Sequence, residues 1–383
     1  MIRVYDRIAD IDAAAWNTLA GPHPGLQHAF LDALEQSGSV NAETGWQPCH
    51  LTLWDAEENG QLMGAMPLYR KAHSWGEYVF DWAWARAYEQ QGLDYYPRLV
   101  SAVPFSPLPG NRLLARDDAS RAALIKGAIE LTRQLGDSSL HILFPTPEDA
   151  RFANQHGMQL REQVQFHWQR DPAWTSFDDF LGSMSHDKRK KIKQERRYVR
   201  EAGVTVERKA GADITEADWR FFIRCYQHTY REHRSTPYLN LDFFLRLHAA
   251  QPDACLLVLA YREGQPIAAA FDLVGPDALY GRYWGAVWDS AGFVPGLHFE
   301  LCYYQGLEFA LERGLNLFEG GAQGEHKLAR GFMPVTTWSA HWLAHPAFRD
   351  AIGRFLRQER QAVDEWAEQL AAQHPFKKGE SAG

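Results

Sequence analysis

LTLWDAEENGQLMGAMPLY, residues 51–69, and LLVLAYREGQPIAAAFDLV, residues 256–274, follow one pattern: an apolar run, a polar turn with a glycine, and a second apolar run. Each predicts a two-stranded hairpin, with Gly60 and Gly264 at the turn. Their surroundings repeat at nearly the same spacing. Ile11-Asp12-Ala13-Ala14-Ala15-Trp16 matches Ile214-Thr215-Glu216-Ala217-Asp218-Trp219, and Trp82, expected in the strand after the first hairpin, matches Trp284. Further on, each half has one strong helical period. The first is Ala119 to Leu135, with Leu124, Ala128, Leu131 and Leu135 on one face and Gly136 as its stop. The second is Leu297 to Arg313, with Leu297, Leu301, Tyr304 and Leu311 on one face and Gly314 as its stop. A short apolar strand follows each helix, LHILF at 140–144 and LNLF at 315–318.

Repetition of this order predicts an α/β (α+β) chain of two similar mixed-sheet halves. Their expected limits are a first domain over 1–170, a basic linker helix over 171–205, and a second domain over 206–383. A chain of 383 residues, 45% of them hydrophobic, is long enough for two such cores. Its net charge of −8 excludes a surface coated in basic charge but not a local patch. Cys49, Cys225, Cys255 and Cys302 show no Cys-x-x-Cys spacing, so neither a disulfide framework nor a metal site is expected. A cytoplasmic protein without a transmembrane segment is the expectation.

The local patch is SMSHDKRKKIKQERRYVREAGV, residues 183–204. A helix from Ser185 to Glu201 would carry Lys188, Arg189, Lys190, Lys191, Lys193, Arg196, Arg197 and Arg200, with Ser185 as cap and Gly203 as stop. Only Ile192, Tyr198 and Val199 are suited to a core. Such a helix either stays solvated as a connector or meets phosphate: a tRNA backbone, coenzyme A or a lipid-linked sugar nucleotide. NLFEGGAQGEHKLARGFMPVTTW, residues 316–338, then runs a strand into a glycine turn bearing Glu, His, Lys and Arg. Strand ends of this kind are where α/β proteins place their chemistry.

The element order resembles the GNAT acyltransferase (acyl-CoA N-acyltransferase) fold in tandem. The basic stretch, GRYWG at 281–285, GGAQGEHKLARGFMPV at 320–335 and SAHW at 339–342 resemble the bacterial FemAB-like proteins, grouped with GNAT N-acyltransferases and labelled peptidoglycan biosynthesis or recognition. That resemblance implies acyl or aminoacyl transfer to an amine, with acyl-CoA or aminoacyl-tRNA as donor and a peptidoglycan precursor or small molecule as acceptor. A non-catalytic module that recognises the precursor, or a CoA-dependent N-acetyltransferase of a small molecule, is the alternative. The basic helix, through Lys188, Arg189, Lys191 and Arg196, is the place for tRNA or phosphate contact, although it is shorter than the helical arm of Fem enzymes.

In a GNAT unit the fourth and fifth strands splay, and the helix after the fourth points its N-terminus at pyrophosphate. Here the loop 288–297 offers Gly292 and Gly296 but lacks the Arg/Gln-x-x-Gly-x-Gly/Ala signature. Amide formation needs a base for the amine and a donor for the oxyanion. Glu319, Glu325 and His326 are candidate bases, Tyr283 a candidate acid, and Lys327 with Arg330 a candidate anion grip. Arg282 and Trp284 belong to the substrate-binding set. In the first half, the aromatic and proline-rich insert between Ala85 and Asp118 is expected to wall a groove. Trp82, Trp84, Tyr95 and Tyr96 are candidates to stack on a sugar or peptide. No GxSxG elbow or Cys-His pair is present, and Cys302, four residues after His298, is expected to be packing.

Overall fold

Both hairpins form in the computed structural model, which describes residues 1–57, 60–287, 292–321 and 324–377. The chain divides into two compact units, Met1–Gln163 with Thr336–Glu365, and Val164–Val335 with Trp366–Gly383.

In the first unit β1 (Ile2–Tyr5) precedes α1 (Ala13–Ala20) and α2 (His28–Gln36). Then come β2 (Trp46–Pro48), β3 (His50–Trp54), β4 (Leu62–Met66) and β5 (Tyr69–Lys71). Next are α3 (Trp82–Gln90), β6 (Arg98–Ser101), β7 (Leu114–Ala115), α4 (Asp118–Leu135), β8 (Ser139–Leu143) and α5 (Pro147–Gln155). One sheet has the order β1-β3-β4-β7. In a second, β6 lies parallel to β8, joined to it through α4. Leu51, Met66, Leu99, Leu124, Ile125, Ala128, Leu140 and Ile142 form the core. The buried face of α4 is turned from the expected one, toward Leu124, Ile125, Ala128 and Thr132, and Leu135 is exposed. Gly136, at φ 70°, takes the left-handed C-cap that stops α4.

The second unit begins within β9 (Gln159–Gln169) and continues through α6 (Phe177–Ser183), α7 (His186–Glu201) and β10 (Val204–Ala210). Next are α8 (Glu216–Glu232), α9 (Leu241–Ala250), β11 (Cys255–Arg262), β12 (Gln265–Val274) and β13 (Ala278–Ala286). Helix α10, residues 297–313, leads to β14 (Leu317–Glu319). The last elements are β15 (Met333–Leu343) and α11 (Pro346–Ala372), which begin in one unit and end in the other. The sheet order is β10-β11-β12-β13-β14-β9. Glu263 and Gly264, at φ 52° and 74°, make the tight turn between β11 and β12. As in the first unit, a helix links two parallel strands, here β13 and β14. Trp16 on α1 and Trp219 on α8, the repeat's paired tryptophans, are both fully buried.

Three expectations change. Trp82 opens α3 instead of lying in a strand, because Trp84 and Tyr88, four apart, are the pair this segment buries. The basic helix is not a separate linker: Ile192, Glu195 and Val199 are buried within the second unit, whereas Tyr198 is exposed. Ser185 sits at its N-cap without a side-chain cap, its backbone N–H donating instead to the Pro375 carbonyl at 2.9 Å. Among the described residues no helix is long and apolar enough to cross a membrane.

Candidate active site in the second unit

Strands β13 and β14 pair only at Ala278–Leu317, Leu279–Phe318 and Tyr280–Glu319. Beyond this they part. The β13–β12 register continues to Ala286, while the Gly320 N–H turns to the Phe166 carbonyl on β9 at 2.9 Å. Past Tyr280 that edge of β13 has no strand partner among the described residues. Helix α10 follows β13 and contains a π-turn, Glu300–Tyr304, a distortion often found at functional sites.

A buried ion pair closes the root of the opening. Arg282 Nη2 donates to Glu319 Oε1 at 2.8 Å, with the two side chains 3% and 1% exposed. Asp272 on β12 is buried beside them, and its Oδ2 has no hydrogen-bond partner among the described residues. Burial pushes its carboxyl well above the ordinary carboxylate range, and Arg282 opposes this only in part. His167 on β9 stands opposite Glu319 in register, with Nε2 3.0 Å from Gln165 Oε1. Burial, then Arg282 and Lys327, push it down to about 4. Lys327, also buried, donates from Nζ to the Gly320 carbonyl and to that of Gly321 at 3.3 Å, fixing the glycine turn. Burial lowers its ammonium to about 8, with Cys302 and Glu319 opposing. The Cys302 thiol is pushed up by burial and by Asp272, which makes it a poor nucleophile.

A second cluster joins imidazoles to aromatic rings. The His298 ring on α10 lies edge-on to Trp284 at 4.8 Å and to Tyr303 at 5.5 Å. His326 reaches the Tyr303 hydroxyl, Nε2 to Oη 3.3 Å, and its ring lies 5.6 Å from Phe299. Burial pushes His298 down to about 4. His326, at the exposed side of the cluster, is also lowered, by partial burial first and then by Arg330 and Lys327. Both imidazoles are therefore neutral near pH 7.

A third group ties the turn to the basic helix. Arg330 donates to Glu195 Oε1 at 2.6 Å, to Tyr304 Oη at 3.0 Å and to the His326 carbonyl at 2.6 Å, and lies 3.3 Å from the Phe299 ring centre. Arg196 pairs with Glu300 at 2.9 Å and Glu308 at 2.6 Å. Gly296, at φ 83°, precedes α10, and a Cβ there would stand 2.9 Å from the Glu195 carbonyl oxygen. The backbone of α7 therefore packs directly against the N-terminus of α10. The outward face of α7 forms an open groove of about 520 Å³ lined by Arg189, Lys190, Lys193, Arg197 and Arg200.

The structure thus brings Arg282, Trp284, Glu319, His326 and Lys327 into one region and changes several expected roles. Glu319 is held by Arg282 and shielded from solvent, which disfavours it as a base. Arg330 is buried and paired with Glu195, which disfavours it as a grip for a substrate anion, and Arg196 is likewise turned inward. The Tyr283 ring packs edge-on against Tyr226 at 5.2 Å. Gly292 is exposed at φ 64°, and Gly296 serves close packing. The Glu325 side chain and residues 288–291 of the loop lie outside the described residues. Trp82, Trp84, Tyr95 and Tyr96 belong to the first unit, where Trp84 and Tyr95 are buried and offer no stacking face. Sequence reasoning missed His298 as a site residue, along with Tyr303, Asp272 and His167. His298 was discoverable as an imidazole in the first turn of the helix after β13.

The FemAB-like family model, described as peptidoglycan biosynthesis/recognition, matches residues 7–378. No curated protein matches. Solved structures of similar fold include FemX, at 11% identity, covering 90% of this chain and 98% of that one, with a TM-score of 0.54. L-PGS from Bacillus licheniformis, at 11% identity, covers 88% and 97% with a TM-score of 0.51. A conserved protein of unknown function from Bacteroides thetaiotaomicron, at 10% identity, covers 89% and 99% with a TM-score of 0.53. At such identities the likeness concerns the fold alone, and the fold is the expected tandem GNAT-like α/β arrangement.

Proposed function

The chain belongs to the FemAB-like family, and from that premise we propose that it transfers an aminoacyl group from tRNA to an amine of a peptidoglycan precursor. The observation that carries the choice of donor is the contact of α7 with Gly296. In a GNAT unit the helix after the fourth strand receives pyrophosphate at its N-terminus through bare amides and a positive dipole end. Here the Glu195 carbonyl is packed against that position, a carbonyl oxygen repels phosphate, and the loop lacks the coenzyme A signature. The exposed positive charge lies on the outward face of α7, suited to an extended phosphate backbone.

In this reading the acceptor amine attacks the ester carbonyl of the aminoacyl donor in the opening between β13 and β14. A C–N bond forms and the ester C–O bond breaks. His326, neutral at pH 7 and hydrogen-bonded to Tyr303, takes the amine proton and returns it to the departing ribose oxygen. Backbone N–H groups on the open edge of β13 face the developing oxyanion. Lys327 holds the Gly320–Gly321 turn, and the Arg282–Glu319 pair sets the angle at which the strands part. The test is transfer of labelled amino acid from charged tRNA to a nucleotide-linked muropeptide, with the wild type and His326→Ala. Product from the wild type and its loss in the variant support the reading; no turnover with any charged tRNA pool would sink it.

The burial of Lys327 and Arg330 against protein partners favours a second reading, a recognition module that binds the precursor without chemistry. Precursor binding that persists in a protein with no transfer activity would select it.

A further inference from the structure

Helix α3 buries Trp84 and Tyr88 and turns Trp82, Arg86 and Glu89 outward at positions i, i+4 and i+7, one face of a helix. Together with Leu93, Asp94 and Tyr96 from the segment that follows, this face lines an open cleft of about 420 Å³ within the first unit. Trp75, 58% exposed, lies 5.0 Å ring to ring from Trp82. Arg86, Glu89 and Asp94 make no side-chain hydrogen bond or ion pair among the described residues. The cleft therefore combines aromatic faces with an uncommitted polar rim.

Its floor is rigid. The Tyr96 hydroxyl is 2.7 Å from Ser74 Oγ, which also hydrogen-bonds Asp81 at 2.6 Å and accepts from Arg98 at 2.8 Å. Asp81 further accepts from the Tyr95 hydroxyl at 2.7 Å and pairs with Arg98 at 2.8 Å. Asp81 is the N-cap residue of α3, yet its carboxylate makes no cap bond and is spent on this network. The network holds the Tyr95 and Tyr96 hydroxyls beneath the exposed aromatic cleft.

We propose that this cleft binds a saccharide. A pyranose presents an apolar C–H face and a rim of hydroxyls; the ring of Trp82, with exposed Trp75 beside it, matches the first, and Arg86, Glu89 and Asp94 match the second by donating to or accepting from hydroxyls. A lipid surface would not use two uncommitted carboxylates, which anionic headgroups repel. Placing the sugar of the acceptor here rests on the function proposed above; saccharide binding in itself does not.

The test titrates the full chain with chitotriose and cellotriose, reading tryptophan emission and calorimetric heat, with phosphatidylglycerol–phosphatidylcholine vesicles as a separate arm. Saturable binding of at least one saccharide is expected, with affinity lowered about tenfold or more in Trp82→Ala and reduced in Asp94→Asn. Trp366→Ala, which changes an exposed tryptophan of the other unit, should leave binding unchanged. Trp82→Phe, which keeps an aromatic face, should recover most of the affinity and guards against a folding artefact. No saccharide heat in the wild type, equal affinity in Trp82→Ala, or a response to vesicles alone would overturn the proposal. A parallel tRNA titration separates the two ideas: saccharide binding without tRNA binding removes the transferase reading only, and the reverse removes the saccharide site only.

Discussion

Arg330 and Glu195 meet at 2.6 Å in the interior of the second unit, joining the turn after β14 to the underside of the basic helix. The face of α7 opposite its cationic groove is thereby bonded to the same turn that carries His326 and Lys327. The charge that would gather a polyanion and the imidazole that would do chemistry are thus joined through Arg330.

Removing either partner leaves a buried charge. Arg330→Ala or Glu195→Ala should each destabilise the protein by about 3–5 kcal/mol, the usual cost of breaking a buried pair. The double variant should cost less than the two single changes added. Urea unfolding checks this, and additive losses would show that the pair is not coupled.

Gly296→Ala should cost more than Gly314→Ala, although both glycines have positive φ. At Gly314 the nearest atom to a Cβ is an Arg170 side-chain nitrogen at 3.5 Å, so the cost is the left-handed backbone alone, about 1–2 kcal/mol. At Gly296 the Glu195 carbonyl oxygen lies 2.9 Å away and α7 must shift. Equal melting temperatures for the two variants would contradict the close packing of α7 on α10.

If His326 is the base, its downward shift places the acid limb of the pH–rate profile below 6.5, the ordinary imidazole value. His326→Ala should lower kcat by about 10²–10⁴-fold with little change in KM. Glu319→Gln should instead lose stability and activity together, because it unpairs Arg282. A Glu319→Gln protein with wild-type stability and no activity would return the base role to Glu319.

In the first unit His141 Nδ1 and His341 Nδ1 lie 2.6 Å apart, and each ring also meets a serine, Ser139 at 2.7 Å and Ser339 at 2.8 Å. Burial drives both imidazoles well below 6.5. Their folded pKa is below the unfolded one, so below pH 6.5 the unfolded chain binds more protons. The stability they contribute is present above that pH and lost as pH falls. The difference in unfolding free energy between the wild type and His141→Gln/His341→Gln should therefore shrink from pH 7.5 to 5.5. A constant difference would contradict the neutral pair.

Local pattern carried the parts of this fold that depend on short-range rules. The 256–274 hairpin needed only a glycine between apolar runs, and the stops at Gly136 and Gly314 needed only a left-handed residue after a helical period. The repeat was legible because Trp16 and Trp219 fill equivalent buried positions behind capped helix starts. Trp82 misled because a tryptophan fits a strand or a helix, and the pair Trp84–Tyr88 decided in favour of the helix. Site roles depended on partners remote in sequence. Glu319 read as a free carboxylate until register placed Arg282 beside it, and Arg330 read as a free cation until Glu195, itself hidden in a run of lysines and arginines, proved to be buried against it.

The most direct measurement is the salt dependence of tRNA binding alongside an acetyl-CoA titration, on the wild type and on a variant with Lys190, Lys193, Arg197 and Arg200 all changed to Gln. Expected are saturable tRNA binding, a logarithmic salt slope that falls by roughly 0.7–0.9 for each phosphate contact removed, and no saturable acetyl-CoA heat. Saturable acetyl-CoA binding, with tRNA affinity weak and indifferent to the four substitutions, would contradict the account and place a coenzyme A seat where α7 packs against Gly296.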